Sequence, residues 1–320
     1  MEAVMGSITD VKGVLVGNYE DLENLTGATT IIIEKGASSG VDVRGGAPGT
    51  RETDLLKPEN LVEYVNAIYI GGGSAMGLEG ASGVSRYLEE RNIGFDTGVK
   101  KVPIVSGAII FDLAIGKPVY PDIQAGYMAA KNATDNFNAN GNVGAGVGAT
   151  VGKIRGMNFA MKGGLGTESI KIGDIVVGAL VVVNALGDIY DFDNKIIAGA
   201  LNDGKNGFIN TEEFILKTQT NEVPFKNTTI GVIATNVKLS KSKLKRLAII
   251  SHDAIARRIK PSHTIFDGDT IFTLSTNEIE FEDLLTLGVL FENVLENAII
   301  NAIKYAKTIQ NIIAFEDFKV

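Results

Sequence analysis

The run Lys226-Asn227-Thr228-Thr229-Ile230-Gly231-Val232-Ile233-Ala234-Thr235 constrains this chain more than any other segment. It is a β-branched, strand-like run that opens on two threonines, reached through the turn-prone approach Val223-Pro224-Phe225-Lys226. Further along, Phe266-Asp267-Gly268-Asp269-Thr270 opens a second strand-like run. If the two strands pair, a hydroxyl and two carboxylates meet at their heads. A hydroxyl is a poor nucleophile until a base takes its proton. A chain break before Thr228 would create an α-amine of reference pKa about 8, placing that base on the nucleophilic residue itself. Asp267 and Asp269 would hold the amine and hydroxyl, and as negative neighbours they would raise the amine's pKa. In a strand their spacing puts both on one face; in a turn they can converge on one point. The plainer alternative is a β-forming threonine at a strand head and ordinary Asp-Gly-Asp turn chemistry.

Composition narrows the classes. A net charge of −8 and no basic patch disfavour nucleic acid and anionic membranes as partners. The absence of cysteine removes disulfides, thiol catalysis and cysteine-based zinc sites, and is compatible with a reducing cytoplasm. The start, MEAVMGSITDVKG, has neither a basic region nor an apolar core of the secretory kind. The greasy stretches Ile175–Asn184 and Leu284–Ile303 are too short or carry Glu and Asn, so no membrane span is expected. The expectation is a soluble, cytoplasmic protein with a real core.

Short apolar runs recur at Thr29–Ile33, Ala67–Ile70, Val102–Val105, Ile175–Val183, Thr229–Ala234 and Ile271–Leu274. Helical patterns lie between them at Ser85–Arg91, Gln124–Lys131, Ser240–Ile259 with Ser240 as N-cap, and Phe281–Ala306. Mixed strands and helices make the class α/β or α+β, and residues 1–320 read as one catalytic domain. Asn202–Asn221, rich in Asn, Gly, Thr and charge, is expected as a flexible exposed loop.

Several patterns invite sharper readings and do not sustain them. Gly71-Gly72-Gly73-Ser74-Ala75-Met76-Gly77 has the wrong spacing for a dinucleotide loop, so close backbone packing is expected. Gly141–Gly148 lacks the Lys-Ser/Thr ending of a phosphate loop and reads as a tight crossover near a site. Asn202–Glu213 imitates a calcium loop, but with Asn first and Gly third it reads as a solvated turn. His252 and His263 have no Gly-x-Ser-x-Gly elbow to serve and are too few for zinc, so local hydrogen bonding is expected for both. No metal or cofactor is expected.

The chain resembles the L-aminopeptidase/D-esterase family of self-cleaving N-terminal-nucleophile hydrolases, and within it the nylon-oligomer (aminohexanoate-oligomer) hydrolases. The resemblance runs nearly end to end through Gly40–Asp54, Gly72–Leu78, Val102–Asp112, Gly141–Gly146, Lys162–Gly166 and Val182–Asn184. It implies a four-layer α-β-β-α sandwich and assembly into homo-tetramers or larger. It implies that Asn227–Thr228 is the self-cleaved bond, giving an α-chain of residues 1–227 and a β-chain of 228–320. Thr228 would then be nucleophile and base, with Asp267 and Asp269 where the nylon-hydrolase branch has its two carboxylates. The aminopeptidase branch prefers a Gly-Ser junction. Asn184 would donate to the oxyanion, Lys162 would be catalytic, and Tyr127 would line the substrate site. The implied activity is hydrolysis of linear amides, such as aminohexanoate oligomers or small peptides. The alternatives are an aminopeptidase acting on the N-terminal residues of short peptides, or an unprocessed, non-enzymatic small-molecule binder on the same scaffold.

Overall fold

Alternating apolar residues along the central strands face two different cores, so one sheet layer is buried on both sides. The computed structural model describes residues 6–219 and 227–318; the approach Val223–Lys226 lies outside them. The main strands are β1 (Leu15–Asp21), β2 (Thr26–Val43), β3 (Tyr64–Gly71), β4 (Val105–Ile109), β5 (Gly164–Ile172), β6 (Ile175–Asn184), β7 (Thr228–Val237) and β8 (Thr270–Ile279). The helices that cover them are α1 (Gly80–Glu90), α2 (Ile123–Lys131), α3 (Thr211–Thr218), α4 (Lys241–Arg258) and α5 (Leu284–Lys304).

Strands run in the order β5-β6-β7-β8-β2-β3-β4, then Thr50–Arg51 at the edge, with β1 paired to β2. The β7/β8 and β3/β4 pairs are parallel and the other pairs among the main strands are antiparallel. The hinge is β2. Its first half pairs with β1 and β3, while its second half (Ser38–Val43) pairs with β8. Between the halves the register shifts, and Gly36 takes φ +81°, where a side chain would be strained. The bend folds one hydrogen-bonded path into two stacked layers.

Three cores fill the stack. Val177, Ala179, Val181 and Val183 of β6 face α4 and α5, joining Leu244, Leu247, Phe291, Leu295 and Ile299. Leu180 and Val182 of the same strand point the other way, into a core shared with Ile31, Ile68, Ile70, Ile230, Val232 and Phe272. Ala28, Ile32, Ala67 and Tyr69 complete the second layer against Ala81, Val84 and Leu88 of α1 and Ala129 of α2. Helix, sheet, sheet, helix follow in turn, which is the expected four-layer α/β sandwich. By length and composition α5 is apolar enough to cross a membrane, but Leu287, Phe291, Val294, Leu295 and Ile299 are spent in the first core.

The structure corrects several boundaries. The run Thr29–Ile33 is the front of an 18-residue strand. Its continuation through Gly36, Ala37, Ser38, Ser39 and Gly40 carries no hydrophobic pattern, and pairing with β3 at Ala37–Ser38 and with β8 from Ser38 onward makes it extended. Val102–Val105 is split, because Pro103 has no N–H for a ladder; Lys101–Val102 pairs with Phe95–Asp96, and β4 starts at Val105. The expected loop Asn202–Asn221 contains helix α3, capped by Asn210 accepting from Glu213 N at 3.1 Å.

Candidate active site

Two strand ladders bring the site together. In the antiparallel β6/β7 ladder, Asn184 is opposite Thr228. The parallel β7/β8 pairing extends forward as a bridge between Asn227 and Asp267, so the heads of both strands lie side by side. Asn227 N–H donates to Phe266 O (3.1 Å), and Gly268 N–H donates to Asn227 O (2.8 Å). The Thr228 hydroxyl donates to the same Asn227 carbonyl oxygen. Asn184, Asn227, Thr228, Asp267 and Asp269 are all under 5% exposed. A Cβ on Gly268 would stand 2.8 Å from Thr228 Oγ1, so a larger residue there would push that hydroxyl aside.

The two carboxylates do different things. Asp269 crosses to β7: Oδ1 accepts from Thr229 N (2.7 Å), and Oδ2 accepts from the amide (3.0 Å) and Nδ1 (2.8 Å) of His263. Asp267 Oδ2 takes the amide (2.8 Å) and hydroxyl of Thr264. Burial, with Asp269 as a negative neighbour, pushes the Asp267 carboxyl up to about 6.

Asn184 is held on both ends of its amide. Oδ1 accepts from Thr150 N (3.0 Å) and Lys153 Nζ (2.9 Å), and Nδ2 donates to Phe111 O (3.1 Å). That fixes which end of the amide is the donor and leaves one N–H for a ligand. Lys153 is fully buried; burial pushes its ammonium down to about 7, opposed by the charges of Asp267 and Asp112. The sequence reading missed Lys153. Its short flanks, Gly152-Lys153-Ile154-Arg155-Gly156, look like a surface turn, and its partner Asn184 is 31 residues away.

Lys162 and Tyr127 are placed elsewhere. The Lys162 amine donates to the carbonyls of Gly146 (2.9 Å), Ala149 (2.8 Å) and Gly163 (3.0 Å), so its donors are spent on backbone. Burial pushes it down to about 7. Tyr127 OH donates to Glu90 (2.7 Å), and its ring packs edge-on against Tyr87, joining α2 to α1. Among the described contacts neither reaches Thr228, Asn184 or the carboxylates. The glycine loops close on Asp112, which takes Gly73 N (2.6 Å) and Thr26 Oγ1 (2.7 Å) where a dinucleotide loop would offer its amides to phosphate. Asn202 and Asn206 bond to each other within the calcium-like turn.

The structure of an L-aminopeptidase D-Ala-esterase/amidase from Ochrobactrum anthropi, described as a variant of the N-terminal-nucleophile hydrolase fold, superposes with TM-score 0.70 at 20% identity. The superposition covers 96% of this chain and 88% of that one. A β-aminopeptidase from Burkholderia sp. matches with the same coverage and score. Among sequences, an uncharacterized aminopeptidase of Mycobacterium leprae (strain TN) is 38% identical over 301 residues, covering 88% of this chain and 81% of its own length. A 6-aminohexanoate-oligomer endohydrolase of Kocuria sp. (strain KY2) is 33% identical over 313 residues, covering 92% and 85%. The fold and these relatives define an amide hydrolase built on an N-terminal-nucleophile hydrolase type of fold. The profile of peptidase family S58 matches residues 6–313, and the chain belongs to that family. The non-enzymatic alternative is thereby set aside.

Proposed function

We propose that this hydrolase cuts itself between Asn227 and Thr228 and then uses the freed N-terminal threonine to cleave linear amides, such as aminohexanoate oligomers or small peptides. The observation that carries the reading is the Thr228 hydroxyl lying on the carbonyl of Asn227, whose oxygen also takes the Gly268 amide. In self-cleavage Oγ1 attacks the Asn227 carbonyl carbon, forming a C–O bond as the C–N bond breaks. The Gly268 N–H supports the oxyanion, and the proton lost by the hydroxyl goes to the departing amine. Water then hydrolyses the ester, leaving a carboxylate on Asn227 and a free hydroxyl and amine on Thr228. In substrate turnover the amine serves as base and acid, while Asn184, held donor-outward by Thr150, Lys153 and Phe111, supplies an N–H to the new oxyanion. Asp267 and Asp269 steady the ammonium, and Lys153 balances their charge. Lys162 supports the neighbouring loop, and Tyr127 is left without a part in the chemistry.

Denaturing electrophoresis and intact mass test this. Wild type should give fragments ending at 227 and starting at 228, and Thr228→Ala one full-length band with no amidase activity. An active enzyme that stays in one piece overturns the reading. Turnover of aminohexanoate oligomers beside aminoacyl anilides decides between oligomer hydrolysis and aminopeptidase action, since relatives of both names match. We also propose a cytoplasmic homo-oligomer of four or more chains, supported by the absence of cysteine and by exposed Leu61, Tyr64, Phe95, Val99 and Val102. Light scattering and cell fractionation test these two points.

A further inference from the structure

Behind Asp269 sit two packed imidazoles that the chemistry above does not use. His252, on α4, is fully buried; its Nε2 lies 3.1 Å from the Asp42 carbonyl oxygen, so that nitrogen carries the proton. His263, in the loop before β8, points Nδ1 at Asp269 Oδ2 and must be protonated there. The rings meet edge to face, centroids 4.7 Å apart and planes at 75°. His252 Nδ1 and His263 Nε2 are buried and have no hydrogen-bond partner among the described residues. His263 stands at φ +56°, and from that conformation its amide and ring nitrogen address one carboxylate oxygen.

We propose that His263 is a positioning residue of the threonine site: braced by His252, its imidazole clamps Asp269 against the Thr229 amide and so fixes where the Thr228 amine is received. This rests on the reading of Thr228 as nucleophile. Asp269 alone could swing about its side-chain torsions. The backbone amides of Thr229 and His263 take one oxygen each, and the imidazole adds a second bond to Oδ2 from another direction, which locks the carboxylate plane. A carboxylate set this way pre-organises the base of the reaction, where displacements of about an ångström cost rate. Burial and the neighbouring His263 push His252 down to about 4, against the Asp42 contact that favours its charge, so it braces the clamp as a neutral ring.

The test pairs two substitutions that both tolerate a positive φ. His263→Asn keeps a side-chain donor near the Nδ1 position; His263→Gly keeps the backbone amide donor to Asp269 and removes only the ring donor. Self-cleavage rate and the steady-state constants of the processed enzyme are measured. His263→Gly should slow self-cleavage and lower kcat by at least about tenfold with KM little changed, and His263→Asn should stay within about threefold of wild type. Wild-type kcat in His263→Gly, or an equal loss in both variants, overturns the proposal. If His263→Gly does not fold, His263→Gln, with its donor displaced by one carbon, takes its place. The same loss is expected of it, and wild-type kcat there is fatal. Thr228→Ala run alongside separates the two claims. Full activity without Thr228 removes the nucleophile and this role together, whereas a dead Thr228→Ala beside an unimpaired His263→Gly removes only this role.

Discussion

At the scale of single residues, the site is a set of buried charges that tune one another. Asp267 carries the clearest consequence, since its carboxyl titrates near 6 rather than in the usual carboxylate range. As pH falls through about 6 it gains a proton, and its attraction for the Lys153 ammonium and for a threonine ammonium is lost. Below the limb set by protonation of the threonine amine, activity should therefore show a second fall near pH 6, and Asp267→Asn should lack that second step while starting from a lower plateau; kcat/KM against pH for both proteins checks it. Thr228, Asn184, Asp267 and Asp269 were legible because each stands at the end of a recognisable apolar run. Lys153 was not, since nothing in its own neighbourhood says that Asn184 will lie beside it. For His263 a local hydrogen bond was expected, and only the fold shows that its partner is the carboxylate touching β7.

At the scale of elements, backbone contact between β5 and α5 governs how the first core closes. Gly164 and Gly166 of β5 lie under the carbonyls of Ala302 and Ala298; a Cβ on Gly166 would come within 2.0 Å of Ala298 O. Because the obstacle is helix backbone, α5 itself would have to move. Gly166→Ala should lower stability by about 3 kcal/mol, at the upper end of ordinary overpacking, read from the urea midpoint. Gly173 makes the contrast, having open space around its Cβ position but φ +57°. Alanine there should cost only about 1 kcal/mol of backbone strain. The helices α4 and α5 were readable from their 3.6-residue stripes, whereas α3 was hidden by a polar composition that resembles a loop.

For the whole molecule, the important fact is where the proposed cut falls. The segment after residue 227 supplies β7, β8, α4 and α5, yet β7 is zipped to β6 and β8 to β2, both from the segment before it. The first core likewise mixes Val177–Val183 with Phe291–Ile303. Two fragments so interleaved cannot part without dissolving a ladder on each side and opening a core. Processed protein should run as two bands when denatured, elute undivided under native conditions, and melt in one cooperative transition. Early loss of one fragment on heating would contradict this.

The sequence alone determined the α/β class, the two strands whose heads carry Thr228 and the Asp267–Asp269 pair, and the family, because strand propensity, turn chemistry and motif spacing are local properties. The tertiary structure decided the rest. It folded β2 from one layer into the other, set Asn184 opposite Thr228, drew Lys153 rather than Lys162 to the Asn184 amide, and left Tyr127 on the α1–α2 face. Those outcomes depend on which distant segments share a ladder or a core, and side chains far apart along the chain acquire their electrostatic partners only once that register is fixed.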